Sequence, residues 1–153
     1  MFSRILVSLL SLSLFLPIYS EEIEEIVVTA LKRSSTVADT PASITAISST
    51  EIEDKGITDM HDLKHMVPSM NFTNVLGAQN ITIRGIGQFN GNPGVSVSTD
   101  GVFQSRAHSS QLGEMDLERV EVLRGPQGTL YGRNSIGGVV NLITKNPSQD
   151  RDG

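Results

Sequence analysis

ERVEVLRGPQGTLYGRNSIGGVVNLITKNP, Glu118 to Pro147, is the stretch on which the fold turns. Val120 to Leu123 is a short β-branched and apolar run that favours an extended strand, and Arg124-Gly125-Pro126 ends it. Gln127 to Tyr131 leaves room for a single turn of helix. Gly137-Gly138 then precedes Val139 to Thr144, the longest apolar strand of the chain. Short strands interleaved with short helices and many glycines predict an α+β domain, a small mixed β-sheet with short helices and long loops, rather than a doubly wound parallel sheet.

The residues upstream continue the pattern. Val95 to Thr99 alternates apolar and polar, and Asp100-Gly101 turns the chain into Val102-Phe103, a hairpin signal. Asn71 to Leu76 and Asn80 to Arg84 read as strands, the second with Ile81 and Ile83 on one face. Thr58 is positioned to cap a short helix through Met66, with Leu63, Met66 and Val67 as its buried stripe and Pro68 as its stop. Thr50-Glu51-Ile52-Glu53 fits a T-x-x-E capping box for a helix that Gly56 closes, and Ser43 to Ser48 is a strand ahead of it. Gln88–Gly94 and Gln104–Gly113 are loops by composition. Glycines crowd the stretch from Gly85 to Gly138, which suits tight turns and a domain packed inside a container.

The first twenty residues read as an export signal: Arg4 in a positive start, Ile5 to Leu16 as a short apolar core, and cleavage after Ser20. That core is shorter than the roughly 20 residues a spanning helix needs. Removing it leaves 133 residues with 11 basic against 17 acidic side chains, a net charge of −6. An acidic chain without a basic patch argues against nucleic acid as a partner. With no Cys there is neither a disulfide framework nor a thiolate metal site. Phe72, Phe89, Phe103 and Tyr131 are the only aromatics after the signal, too few to girdle a membrane barrel. Ahead of the globular part, EEIEEIVVTALKR from Glu21 to Arg33 contains the β-branched run Ile26-Val27-Val28-Thr29, and Ser34 to Thr40 reads as linker. Taken alone, the run is an N-terminal strand of the domain, a disordered tail, or a segment for strand addition to a partner.

Together with IRGIG at Ile83 to Gly87 and STDGV at Ser98 to Val102, the Glu118–Pro147 run resembles the plug domain of TonB-dependent outer-membrane receptors. The resemblance covers nearly all of the chain after the signal. It implies a division into signal peptide (1–20), TonB box and linker (21–40), plug domain (41–147) and the start of a connector to a barrel (148–153). EEIVVTA then stands where the family has its TonB box, with Glu25, Ile26, Val27, Val28, Thr29 and Ala30 pairing with the periplasmic C-terminal domain of TonB. Arg84 and Arg124 match arginines that meet carboxylates of the barrel wall, a latch to which Glu121 of the same strand could contribute. Phe89, Asn90, Arg106 and His108 occupy loops that match those facing incoming ligand, with a ferric siderophore as the default nutrient. A roughly 22-stranded outer-membrane β-barrel needs over about 200 residues in strands alone, so transport requires a barrel beyond these 133 residues.

No catalytic constellation competes with this reading. His61 and His65 have a zinc-pair spacing, yet Asp62 stands where a metalloprotease needs Glu and no third ligand is evident, so a solvated helix face is expected. Gly132 to Gly137 lacks the spacing of a nucleophile elbow, and no phosphate loop occurs. No cofactor, metal or enzymatic activity is expected. The alternative function is a free-standing periplasmic binding or scaffold module with a plug fold, in which Arg84 and Arg124 would be dispensable.

Overall fold

In the computed structural model, which describes residues 26–75, 78–88, 92–104 and 116–147, the chain alternates short strands with single turns of helix. The elements are β1 (Val27–Val28), β2 (Ser35–Thr36), β3 (Ile44–Ser48), α1 (Ser49–Asp54), a 3-10 turn (Asp62–His65), β4 (Met70–Val75), β5 (Ala78–Ile83), β6 (Val95–Thr99), β7 (Val102–Phe103), β8 (Leu117–Arg124), α2 (Gly128–Tyr131) and β9 (Gly138–Thr144). The main sheet has the order β3-β8-β9-β6-β7. β6 runs parallel to β9 and the other neighbours are antiparallel, so the sheet is mixed. β4 and β5 form a separate hairpin, and β1 pairs with β2.

Because side chains alternate along a strand, the register sorts the sheet into two faces. On one, Ile47, Val120 and Leu142 stand in line beside Val122, Val140 and Val97. Met60, Leu63, Val67, Met70, Ile81 and Ile83 close over this face and complete the main core. Each such side chain, wholly buried, contributes about 1.5–3 kcal/mol relative to exposure. The opposite face carries the row Ile44, Leu123, Val139 and, one step along, the row Ala46, Glu121, Asn141, Ser98. It is the more polar of the two, and the N-terminal segment lies on it: Val28 and Ala30 pack with Ile44, Leu123 and Val139.

That cover explains one departure from the sequence pattern. Although β6 alternates apolar and polar residues, Ser96 and Ser98 are buried as well as its valines, and the Ser98 hydroxyl donates to Asn141 Oδ1 at 2.8 Å. The helix cap also falls two residues earlier than T-x-x-E suggests. Ser48 is extended (φ −74°, ψ 163°) and accepts from the Glu51 amide, while the Glu51 carboxylate accepts from the Ser48 amide. The chain therefore leaves β3 straight into α1, and Ser48-x-x-Glu51 is the capping box; Gly56, at φ +60°, closes it as expected. The second helix shortens to the 3-10 turn. Thr58 does not cap it by accepting; its amide and hydroxyl donate to Asp62 Oδ2.

The expected hairpin at Asp100-Gly101 is present, with φ of 49° and 81°, the doubly left-handed turn that Asp-Gly favours. Residues 34–40, read as plain linker, contain β2 and a bonded turn: the Asp39 amide donates to Thr36 Oγ1 at 3.1 Å and the Thr40 hydroxyl to the Thr36 carbonyl at 2.7 Å. Small hydroxyl side chains make local bonds of this kind readily, which is why composition alone misreads them.

Candidate functional site

The β-branched run near the N-terminus is a strand, and it is docked. Val27 and Val28 pair with Thr36 and Ser35, and the Val37 amide donates to the Ile26 carbonyl at 3.3 Å. In an antiparallel ladder this turns the Val27 and Thr29 amides away from β2, toward the edge a further strand would use. Val27 is 50 % exposed, whereas Val28 and Ala30 are buried.

Two side chains, one from β8 and one from α2, hold the segment by its main chain. The Thr29 amide donates to Glu121 Oε1 at 2.9 Å, and the Tyr131 hydroxyl donates to the Ala30 carbonyl at 2.6 Å. Glu121 is wholly buried, a position a carboxylate tolerates only when paired and hydrogen-bonded. Its charge partner is Arg119, whose Nε donates to the same Oε1 at 2.8 Å and whose Nη2 donates to Thr29 Oγ1 at 3.3 Å. Arg119 also bonds Glu118 and is only 12 % exposed. Oε2 of Glu121 has no partner among the described residues. Burial of the Tyr131 phenol, with the Glu121 charge adding to it, pushes its pKa up to about 12. Lys32, at φ 60°, sets its ammonium 5.0 Å from the centre of the Tyr131 ring. A groove of about 350 Å³, lined by Ile26, Val27, Ser48–Thr50, Glu118 and Arg119, runs beside the exposed valine.

Glu121, expected to contribute to a latch on the barrel wall, has its carboxylate bonded within the described residues. Positions 121 and 124 lie on opposite faces of β8, and the carboxylate is taken by Arg119 and Thr29. Arg84 sits at φ 53° directly after β5, and its Nη1 lies 3.6 Å from where a β-carbon on Gly125 would stand. Arg124 follows as the last residue of β8, half-buried, with Nε unpartnered among the described residues. The loop bearing Arg84 is seated on glycine: a β-carbon at Gly137 would stand 2.9 Å from the Ile86 carbonyl oxygen, and the Gly137 amide donates to the Gly94 carbonyl at 2.8 Å. The Arg84 guanidinium thus lies beside the turn that follows Arg124 at one end of the sheet.

Glu25, Phe89, Asn90, Arg106 and His108 lie outside the described residues. His61 and His65 are exposed on the 3-10 turn, and His61 lies with Asp59 and Asp62 rather than with His65. The Asp62 carboxylate is held below its usual pKa by the Thr58 amide first, and it serves the turn. Arg119 is the counterion of the seat; the R-x-E spacing that puts it on Glu121's face was the available signal. Tyr131 and Lys32 were not singled out. A lone aromatic amid glycines was the available hint for Tyr131.

The family model described as TonB-dependent Receptor Plug Domain matches residues 36–139. The chain is 38 % identical over 127 residues to the pesticin receptor of Yersinia pestis, covering 80 % of this chain and 19 % of that protein. It is 34 % identical over 138 residues to the iron-regulated outer membrane virulence protein of Vibrio cholerae serotype O1, covering 85 % and 21 %. It thus spans about a fifth of the length of these relatives. Among solved structures it resembles the ferric yersiniabactin uptake receptor from Yersinia pestis, with a TM-score of 0.63 and 34 % identity over 71 % of this chain and 18 % of that one.

Proposed function

This chain belongs to the TonB-dependent receptor plug domain family, and on that premise we propose that it gates an outer-membrane receptor for energy-coupled nutrient uptake. The observation that carries the mechanism is the segment 26–30 just ahead of the matched domain, whose strand β1 (Val27–Val28) turns the half-exposed Val27's amide away from β2. Such a strand can add to a sheet edge of a partner, main-chain bonds giving affinity. The partner is the periplasmic C-terminal domain of TonB, and Glu25 to Ala30 is the TonB box. The plug stands inside a roughly 22-stranded β-barrel, with Arg84 and Arg124 meeting carboxylates of its inner wall. Residues 88–94 and 104–113 face the incoming ligand, with Phe89, Asn90, Arg106 and His108 as its contacts. An iron–siderophore complex is the nutrient class, because the similar Yersinia pestis structure is a ferric yersiniabactin uptake receptor. We assign no catalytic step to the chain. An export signal in residues 1–20 delivers it to the periplasm.

Val27→Pro tests the coupling role. Val27 is half-exposed, so the core is spared, while proline removes an amide from the pairing edge. Uptake by the receptor carrying this plug is expected to be abolished with ligand binding intact. Uptake at the parental rate would remove the TonB box assignment.

A further inference from the structure

We infer that Asp100-Gly101 is a site of succinimide formation and isoaspartate isomerisation, held off in the folded chain because Thr144 bonds the carboxylate that would react. The chemistry of the pair is independent of nutrient uptake. The Gly101 amide nitrogen closes on the side-chain carbon of Asp100, forming the C–N bond of a succinimide ring. The amide proton and the hydroxyl of the carboxylic acid leave together as water. Water then reopens the ring at either carbonyl. Opening at the main-chain carbonyl routes the backbone through the side chain, and the product is an isomer of unchanged mass. Glycine favours the ring closure because no side chain shields its amide. Both residues are exposed at the tip of the β6–β7 turn, and the Gly101 amide has no hydrogen-bond partner among the described residues.

The restraint comes from β9. Thr99 pairs with Leu142 in the parallel ladder of β6 with β9, and the Asp100 amide donates to the Leu142 carbonyl at 2.9 Å. In a continuing parallel ladder the Thr144 amide would bond the Asp100 carbonyl. The chain instead turns back at φ 49° and 81°, and the Asp100 carboxylate takes the place of that carbonyl. Its Oδ1 accepts from the Thr144 amide at 3.0 Å and its Oδ2 from the Thr144 hydroxyl at 2.8 Å. Thr144 is itself fixed, because the Lys145 amide donates to the Asp116 carbonyl at 2.8 Å and the Lys145 ammonium lies 2.9 Å from Asp116 Oδ1. With both oxygens committed to β9, the side-chain carbon reaches the Gly101 amide only after bonds to Thr144 break. The bond that finishes the ladder therefore also keeps the nucleophile and its target apart. Isomerisation has a structural cost: the product carries an additional backbone carbon in a turn that needs two left-handed residues, and the pairing of β6 with β7 loses the link that aligns it.

The test ages the full chain in neutral buffer beside Thr144→Val, which keeps a β-branched strand residue and removes the hydroxyl, and Thr144→Ser, which retains it. Isoaspartate is located by peptide mapping with an endoprotease that cleaves before aspartate and not before isoaspartate. Asp152-Gly153, the other Asp-Gly pair of the sequence, is the reference within each digest. The expected result is isomerisation at Asp100 about fivefold faster in Thr144→Val, the worth of one hydrogen bond, with the rate at Asp152 unchanged. Thr144→Ser is expected to keep the parental rate. In urea, where both bonds are lost, the parent is expected to isomerise at Asp100 about 25-fold faster than when folded. Equal rates at Asp100 in the parent and Thr144→Val overturn the guard, as does equal acceleration in Thr144→Val and Thr144→Ser. Acceleration at Asp152 alongside Asp100 overturns its specificity. Where Thr144→Val loses the folded circular dichroism spectrum, Thr144→Ser and the urea comparison decide: a serine variant faster than the parent, or a parent as fast folded as in urea, overturns the guard. No isoaspartate at Asp100 even in urea overturns the site itself.

Discussion

Replacing Gly94 with alanine would set a methyl group 2.1 Å from the Gly87 carbonyl oxygen and 3.0 Å from its carbon. Both obstacles are backbone, so no rotamer change relieves the contact, which lies over about 1 Å inside ordinary separation. The segment carrying Ile86 and Gly87 has to move. It cannot move freely, because Gly94 also accepts from the Gly137 amide at 2.8 Å and Ile86 lies against Gly137. Overpacking of this kind costs about 1–3 kcal/mol. At about 3–5 °C per kcal/mol for a domain of this size, the melting temperature followed by far-ultraviolet circular dichroism should fall by roughly 3–15 °C. Gly128→Ala is the matched control, since a β-carbon there meets nothing within 4 Å, and its melting temperature should hold or rise slightly. Equal melting of the two variants would refute the glycine-seated loop, and with it the argument that this packing aims Arg84 toward the turn after Arg124.

Ser48→Ala should lower stability by about 1 kcal/mol in chemical denaturation, whereas Thr50→Ala should be neutral, because Ser48 is the residue that caps α1. The reverse ranking would move the cap back to the position that T-x-x-E suggests. Tyr131 gives a pH signature. Its folded pKa of about 12 lies above the ordinary 10, so its contribution is complete below pH 10 and is lost as pH rises toward 12. Denaturation of the parent and of Tyr131→Phe at pH 9 and about pH 11.5 should show the steeper loss in the parent, and parallel losses would contradict the burial of the phenol.

The fold was legible where side-chain chemistry is local. Asp100-Gly101 specified its hairpin, Gly56 its helix end, and the Val139–Thr144 run its central strand. What sequence could not show was the second covered face of the sheet. Ser96 and Ser98 look solvent-facing by alternation, and only the long-range docking of Val28 and Ala30 buries that side. For a related reason no local pattern announced the bonds of Glu121 to Arg119 and to the Thr29 amide, which depend on the N-terminal segment lying over β8. Arg84 and Arg124 were named from family resemblance, and the left-handed Arg84 and the glycine contacts that seat its loop are displayed by no pattern in one sequence. The ligand-facing candidates Phe89, Asn90, Arg106 and His108 stay where the sequence left them, outside the described residues.

The strand order has a mechanical consequence. After β1 and β2 the chain enters the main sheet through β3, which has a neighbour on one side only. A tug applied at the N-terminal end and directed across the strands therefore loads the molecule one rung at a time. The two residue pairs of β1 with β2 part first, and then the five of β3 with β8. β8 and β9, flanked on both sides, bear little of that load. The plug is in this sense a peelable object: compliant from its N-terminal margin and stiff in its middle, so that a modest force sustained over a distance does the work a large sudden one would need elsewhere in the sheet.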